Sequence, residues 1–178
     1  MKKIKIIVWG ILKRISMGLS TIIFLYFFIG SPMMISGESM EPNFHDKELC
    51  WIDKITYLFS EPKRGDIVVF RFPGTRNDLY IKRIIGLPNE TIEIKNNNIY
   101  INNKLLQEVY ISGETPSKGF LKLKLKENEF FVLGDNRKES NDSRIWGPLD
   151  KKFIIGKLNF VFLPLSERGY IFPEGYNF

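Results

Sequence analysis

Residues 15–37 read ISMGLSTIIFLYFFIGSPMMISG, and ESMEP follows at residues 38–42. The run carries no charge and is mostly apolar. As one helix rising about 1.5 Å per residue, it would be roughly 34 Å long, enough to cross a hydrocarbon core about 30 Å thick. The stretch therefore predicts a membrane anchor with Ser39 at the membrane surface. A peptide bond just beyond another protein's membrane-embedded segment would lie within reach of this serine.

The charges on the two sides of this run predict its orientation. The chain has 178 residues and a net charge of +6, and residues 38–53 carry five acids and one lysine. Basic flanks stay in the cytoplasm. We therefore expect residues 1–14 to be cytoplasmic, 15–35 to form the anchor and 36–178 to lie outside, and we expect no nucleic-acid partner. The basic residues before the run, with no acid among them, are Lys2, Lys3, Lys5, Lys13 and Arg14.

A cleaved signal peptide is the alternative interpretation of the first 37 residues. A basic start, an apolar stretch and small residues near residues 36–37 all fit it. The apolar stretch is longer than the usual core of a signal peptide, and cleavage there would cut into the most motif-like segment of the chain. We therefore favour an uncleaved anchor.

Beyond the anchor, the sequence predicts strands and almost no helix. Residues 66–72 read DIVVFRF between turn residues and indicate a largely buried strand. Further strands are expected at 79–87, 91–95, 99–101, 129–133 and 153–163. Residues 96–127 are more polar and richer in turn residues, and we expect them to form a small insertion. The prediction is a mainly β domain, an antiparallel barrel or sandwich, behind one transmembrane helix.

Ser39 needs a base to act as a nucleophile, and the chain offers two candidates. His45 is the only histidine and lies in a charged stretch, HDKE, which is typical of a surface turn. Lys82 lies in the apolar strand YIKRII, where alternation puts Lys82 and Arg83 on opposite faces. Burial would lower the pKa of a lysine and leave a neutral amine. The alternative is an edge strand with both charges in water.

Residues 134–144 read GDNRKESNDSR, a density of Asp, Asn and Ser that is typical of calcium loops. Arg137 would occupy the third ligand position of such a loop, so we do not expect calcium there. Opposite charges one or two residues apart indicate a loop that satisfies its own charges. Such a loop is either structural or holds a side chain next to a catalytic amine. Cys50 is the only cysteine, so no zinc cluster of thiols can form, and we expect it to be buried.

Four segments in order resemble the successive motif boxes of type I signal peptidases. They are GESMEP at 37–42, RGDIVVF at 64–70, KRIIGLP at 82–88, and GDNR at 134–137 continuing through SNDSR at 140–144. The chain is similar above all to the short enzymes of Gram-positive bacteria, with the mitochondrial inner-membrane peptidases as a related alternative. The resemblance covers residues 37–147 and implies the family's largely antiparallel β fold.

The resemblance also implies the roles of individual residues. Ser39 would be the nucleophile and Lys82 the general base, a Ser-Lys variant of the catalytic triad. Ser140 would orient the Lys82 amine, while Asp142 and Arg144 would hold that loop by a salt bridge. The Ser39 backbone N–H would donate into the oxyanion hole, and Gly37 leaves a second donor open. The residues implied to line the apolar pockets for small side chains are Ile35, Met40 and Ile81.

The implied function is a membrane-bound serine endopeptidase that removes signal peptides from exported preproteins after small residues. It would need no metal or organic cofactor, and its partners would be secretory preproteins and the lipid bilayer. Two alternatives stay open: an anchored, non-catalytic domain that binds exported chains, and a self-cleaving repressor-type protease. Two positions depart from the family pattern, Asn43 in place of a threonine and Asn89-Glu90 in place of Gly-Asp.

Overall fold

The computed structural model describes residues 2–74, 78–111, 114–116 and 121–171. A long helix, α1 (Lys2–Phe28), leads directly into strand β1 (Gly30–Met34). The remaining strands are β2 (Leu49–Asp53), β3 (Ile67–Arg71), β4 (Leu79–Gly86), β5 (Thr91–Lys95), β6 (Asn98–Ile101), β7 (Lys104–Leu105), β8 (Leu121–Lys124), β9 (Glu129–Leu133), β10 (Leu149–Asp150), β11 (Ile154–Leu163) and β12 (Gly169–Tyr170). Two four-residue helices, α2 (Thr56–Phe59) and α3 (Ser143–Trp146), and a 3-10 turn at Lys151–Phe153 complete the described elements.

The larger sheet has the order β1-β2-β11-β3-β4-β9-β10, with β12 paired to β11, and the pairings are antiparallel. Its core is built from the alternate apolar side chains that the strand pattern predicts. Cys50 is buried in this core, as expected, and burial raises the pKa of its thiol to about 12. The prediction of a mainly antiparallel β fold behind an apolar helix is confirmed.

The smaller sheet has the order β7-β6-β5-β8. It begins at Thr91, which is earlier than the insertion expected at residues 96–127, because β5 pairs with β6 and β8 and not with the larger sheet. Asn96 and Asn97 form the turn between β5 and β6, and both have positive φ. Part of the expected insertion, residues 112–113 and 117–120, lies outside the described residues.

The anchor boundaries need a correction. The sequence predicted one helix through residues 15–35, but α1 begins at Lys2 and ends at Phe28, and Gly30–Met34 pairs with β2 as a strand. Pro32 is the physical reason, because proline cannot donate to a helical hydrogen bond and disfavours the helical conformation of the residue before it. Residues 2–26 of this helix are long and apolar enough to cross a membrane, by length and composition.

Strand β4 lies inside the larger sheet. It pairs with β3 through Leu79–Arg83 and with β9 through Arg83–Gly86. Lys82 is 4% exposed and Arg83 3% exposed. The alternative of an edge strand with both charges in water is therefore wrong, and the sheet carries two buried cations side by side in the sequence.

Candidate active site

Ser39 and Lys82 are in contact. The Lys82 Nζ donates to the Ser39 Oγ at 2.7 Å and to the Ile81 carbonyl oxygen at 2.9 Å. Ser39 stands in the turns after β1, and Lys82 reaches it from β4, 43 residues further along the chain. The distance between the two heavy atoms does not show which of them carries the shared hydrogen. At the same distance, a neutral Lys82 amine can accept the proton of the Ser39 hydroxyl.

The environment of Lys82 moves its amine towards the neutral form. Burial lowers the pKa of Lys82 from 10.5 to about 8, against the opposing influence of the Asp142 and Asp135 carboxylates. Lys82 forms no ion pair with any residue that the structure describes. Its Nζ lies 5.6 Å from the centre of the Tyr80 ring, which leaves the amine beside an aromatic face and the serine hydroxyl.

Arg83 lies on the other face of β4, where its positive charge is paired with a carboxylate. Its guanidinium donates to both carboxylate oxygens of Asp135, at 2.8 and 2.6 Å, and stacks 4.0 Å from the centre of the Tyr110 ring. Alternation along the strand thus separates the two cations: Arg83 receives a carboxylate and Lys82 does not. With no ion-pair partner among the described residues, Lys82 is governed mainly by its burial, which lowers the pKa of the amine to about 8.

The backbone of Ser39 is held by the loop after β9. The Asn136 N–H donates to the Ser39 carbonyl oxygen at 3.1 Å, and the Asn136 side chain donates to the Glu38 carbonyl oxygen at 3.2 Å. The Ser39 N–H has no hydrogen-bond partner among the described residues. Gly37, the position that leaves a second oxyanion donor open, has no side chain to donate, and its N–H donates to Asp46 at 2.9 Å.

Gly134 approaches the Ser39 backbone so closely that no side chain fits. A Cβ at this position would overlap the Ser39 carbonyl oxygen and the Ser140 Oγ, and would lie 2.6 Å from the Ser140 Cβ. A side chain at residue 134 would therefore push the Ser39 backbone away from Lys82. The family-like GDNR segment begins with glycine for this steric reason.

Replacing Gly134 by alanine is expected to lower cleavage activity by about 100-fold, because displacement of a reacting group by about 1 Å has an effect of that size. The measurement is kcat/KM in the cleavage reaction that the resemblance implies, with the folded fraction followed by circular dichroism. Gly169→Ala is the matched control, since a Cβ there meets nothing within 4 Å. Wild-type activity in a folded Gly134→Ala protein would show that this packing does not position Ser39.

The rest of the loop agrees with the prediction in one respect and not in another. Arg144 donates through Nε and Nη2 to Asp142, both at 2.8 Å, and Asp142 is fully buried, so the expected salt bridge is present. Ser140, however, does not hydrogen-bond to Lys82: its buried Oγ has no hydrogen-bond partner within the described part of the chain. Its side chain packs against Gly134.

The loop does not satisfy all its own charges. Asp135 pairs with Arg83 of β4, and Arg137 pairs with Glu108, which follows β7. The sequence pattern missed both partners because they lie 52 and 29 residues away. The place of Arg83 in an apolar strand was a sequence signal that it needs a buried partner. Glu108 lies in a polar segment, and nothing in that segment indicated its ion pair.

A groove of about 720 Å³ opens at Ser39 and Lys82. Its walls are residues 33–40 on one side and residues 78–82 on the other, with Glu139 and Asn141 contributing from the loop. The three residues implied to form the apolar pockets, Ile35, Met40 and Ile81, line it and are buried. His45 does not line this groove; it is exposed and lies 3.6 Å from Glu41. Among the described residues, no group of three or more His, Cys, Asp or Glu side chains could hold a metal ion.

An antiparallel β domain behind an apolar helix, with a serine and a buried lysine in contact at an open groove, defines the class of a serine peptidase. The sequence matches the family described as "Signal peptidase, peptidase S26" over residues 8–163. The chain therefore belongs to the signal peptidase family. It is a serine peptidase that cleaves signal peptides, and neither the non-catalytic alternative nor the repressor-type alternative is retained.

Individual relatives cover most of the chain. A signal peptidase I of Bacillus amyloliquefaciens is 37% identical over 176 residues, covering 93% of this chain and 92% of that protein. Signal peptidase IB of Staphylococcus aureus is 36% identical over 165 residues, covering 83% of this chain and 85% of that protein. A crystal structure of a signal peptidase I from Enterococcus faecalis is 33% identical, with a TM-score of 0.49, and covers 56% of this chain and 97% of that one.

Proposed function

We propose that Ser39 is the nucleophile and Lys82 the general base of a membrane-anchored signal peptidase. The observation that carries the proposal is the 2.7 Å contact between the Ser39 Oγ and the Lys82 Nζ, an amine that burial moves towards the neutral form. Nucleophile and base within hydrogen-bond distance is the geometry that such catalysis requires. Asp142 and Arg144 would hold the adjacent loop through their salt bridge.

The reaction would run in two steps. In the first, neutral Lys82 takes the proton of Ser39 as the Oγ attacks the scissile carbonyl. The tetrahedral intermediate then collapses, the peptide C–N bond breaks, and the Lys82 ammonium gives its proton to the leaving amine. In the second, Lys82 takes a proton from water as its oxygen attacks the acyl-enzyme ester; the bond from the carbonyl carbon to the Ser39 Oγ then breaks, and the Lys82 ammonium returns the proton to Ser39. The Ser39 N–H, which has no partner among the described residues, is available to the oxyanion.

The substrate would lie in the groove as an extended strand. β4 pairs with β9 only from Arg83 onwards, so residues 79–82 have one edge without a described strand partner beside the groove. A peptide can add to such an edge through main-chain hydrogen bonds, while pockets select alternate side chains. Ile35, Met40 and Ile81 would form shallow apolar pockets that accept small side chains before the cleaved bond. The substrates would be secretory preproteins with such residues.

Ser140 would act on Lys82 only after a rotation. Its Oγ is buried and has no partner among the described residues, which is an unfavourable state for a hydroxyl. Rotation of the Ser140 side chain towards Lys82, when substrate displaces water from the groove, would give the hydroxyl a partner and orient the amine. This step is part of the proposal and keeps the role that the sequence motif implies.

We propose that α1 crosses the cell membrane, with the N-terminus in the cytoplasm and the peptidase domain outside. The uncharged part of the helix, residues 15–28, is about 21 Å long, shorter than the roughly 30 Å of a hydrocarbon core. Lys13 and Arg14 would compensate by extending their side chains along the helix to the headgroups. β1 follows α1 with Ile29 alone between them, which would hold Ser39 close to the outer membrane surface.

The test is cleavage of a preprotein with an Ala-x-Ala site by the detergent-solubilised protein across a range of pH. Because only neutral Lys82 can take the serine proton, and its pKa is about 8, kcat/KM should rise with pH and level off above about pH 9. About a tenth of the amine is neutral at pH 7 and about nine-tenths at pH 9. The new N-terminus is identified by mass spectrometry.

Two results would contradict the proposal. A rate independent of pH from 6 to 9, with chemistry limiting, would exclude a titrating lysine as the base. Equal cleavage of a control preprotein with phenylalanine in place of the alanine before the bond would exclude the small apolar pockets.

A further inference from the structure

The catalytic loop is tied to the small sheet by a buried ion pair between Arg137 of the GDNR segment and Glu108, which lies outside the family-like motifs. Glu108 accepts from Arg137 Nη1 at 2.7 Å and from Nη2 at 2.6 Å. The two side chains are 5% and 2% exposed. A bidentate pair of this kind fixes direction as well as distance. The segment after β7 therefore holds the loop that follows β9 in a fixed position.

Arg137 passes this constraint on to the nucleophile. Its Nε donates to the Gly134 carbonyl oxygen at 2.9 Å, inside the same loop. Gly134 packs against the Ser39 carbonyl oxygen, and the N–H of Asn136, the neighbour of Arg137, donates to that oxygen at 3.1 Å. A continuous set of contacts thus leads from Glu108 through Arg137 and the loop backbone to Ser39.

Glu108 is itself held by the core of the small sheet. The Tyr110 hydroxyl donates to the Glu108 carboxylate. Tyr110 and Leu106, on either side of Glu108, are buried in the apolar cluster that the strands of this sheet form. The same segment also contacts the residues that follow Ser39. The Asn43 side chain donates to the Tyr110 carbonyl oxygen at 2.7 Å.

We propose that Glu108 is a positioning residue for catalysis and that the small sheet serves to hold it. The inference rests on the proposed roles of Ser39 and Lys82. A buried arginine without a carboxylate is strongly unfavourable, so Arg137 would turn to solvent if Glu108 were lost. Gly134 and Asn136 would then release the Ser39 backbone, and the Oγ would leave the 2.7 Å contact with Lys82.

The test compares Glu108→Asp with Glu93→Asp. Glu93 is the matched control, because it lies on β5 of the same sheet and pairs with Lys95 and Lys122 at 2.8 and 3.4 Å, away from the loop. Glu108→Asp keeps the charge but shortens the side chain by one methylene. We expect kcat to fall about 10-fold with KM within about twofold, and Glu108→Ala to lower kcat about 100-fold. Glu93→Asp should leave both constants unchanged.

The assay uses the full chain in detergent at a temperature well below the Tm of each variant, and Tm is recorded for all. A lower Tm for Glu108→Asp with kcat equal to that of Glu93→Asp would reduce Glu108 to a purely structural role and overturn the proposal, as would an equal fall in kcat for both variants. If Glu108→Ala does not fold, Glu108→Asp decides the question. Activity retained by Ser39→Ala would instead overturn the proposed function itself.

Discussion

Ser39→Ala and Lys82→Met are each expected to lower kcat/KM by about 1,000-fold or more. The alanine has no oxygen to attack the scissile carbonyl, and methionine has no amine to take the serine proton. Because the two side chains act as one unit at a separation of 2.7 Å, the double variant should be no less active than either single variant. The measurement is cleavage of a preprotein with an Ala-x-Ala site.

Matched controls separate chemistry from folding. Ser60→Ala removes an exposed hydroxyl that bonds the Thr56 carbonyl, and Lys151→Met removes a lysine paired with the exposed Glu61. Both should retain wild-type activity, as should His45→Ala. Equal activity in wild type, Ser39→Ala and Lys82→Met would move catalysis to other residues. A large loss in His45→Ala would return the histidine to the mechanism.

Asp135→Ala is expected to destabilise the protein by about 3–5 kcal/mol, because it leaves the Arg83 guanidinium buried without a carboxylate. Asp135 is fully buried and accepts from Arg83 twice and from Asn43 at 2.8 Å. The Tm of the solubilised protein should fall by roughly 10 °C, since 1 kcal/mol corresponds to about 2–4 °C in a chain of this size.

The control for this prediction is Glu61→Ala. Glu61 forms an ion pair of similar length with Lys151, but its side chain is 75% exposed. Exposed pairs contribute about 0–1 kcal/mol, so the Tm should hardly change. A Tm shift of the same size in both variants would mean that burial of the Arg83–Asp135 pair does not increase its contribution to the stability of the protein. An unchanged Tm in Asp135→Ala would show that Arg83 is satisfied by its other contacts.

Local sequence signals located most of the strands and the two candidate catalytic residues. Residues 66–72, 79–87 and 129–133 were predicted as strands because their apolar side chains are dense and their ends carry turn residues, and β3, β4 and β9 lie there. The chemistry of Ser39 and Lys82 followed from their motifs, and the structure brings their side chains together. Their catalytic roles stay predictions that the variants above test.

The same signals failed where hydrophobicity alone could not separate two structures. Gly30–Met34 is apolar enough for a helix, yet it is a strand, because Pro32 disfavours helix and β2 supplies hydrogen-bond partners. Ser140 was expected to orient the Lys82 amine; its hydroxyl packs against Gly134 and has no hydrogen-bond partner among the described residues, so that role stays a prediction. Both outcomes depend on neighbours that are distant in the sequence.

The sequence by itself determined an apolar N-terminal helix, a mainly antiparallel β domain and the presence of a serine and a lysine in motifs typical of signal peptidases. Composition and alternation suffice for the helix and the β domain, because these depend on local preference and on burial of one strand face, while the motifs were recognised by their resemblance to the family. Only the tertiary structure decided which cation is neutralised and which is not. Arg83 receives Asp135, and Lys82 receives a serine hydroxyl, because a strand sends neighbouring side chains to opposite faces with different partners.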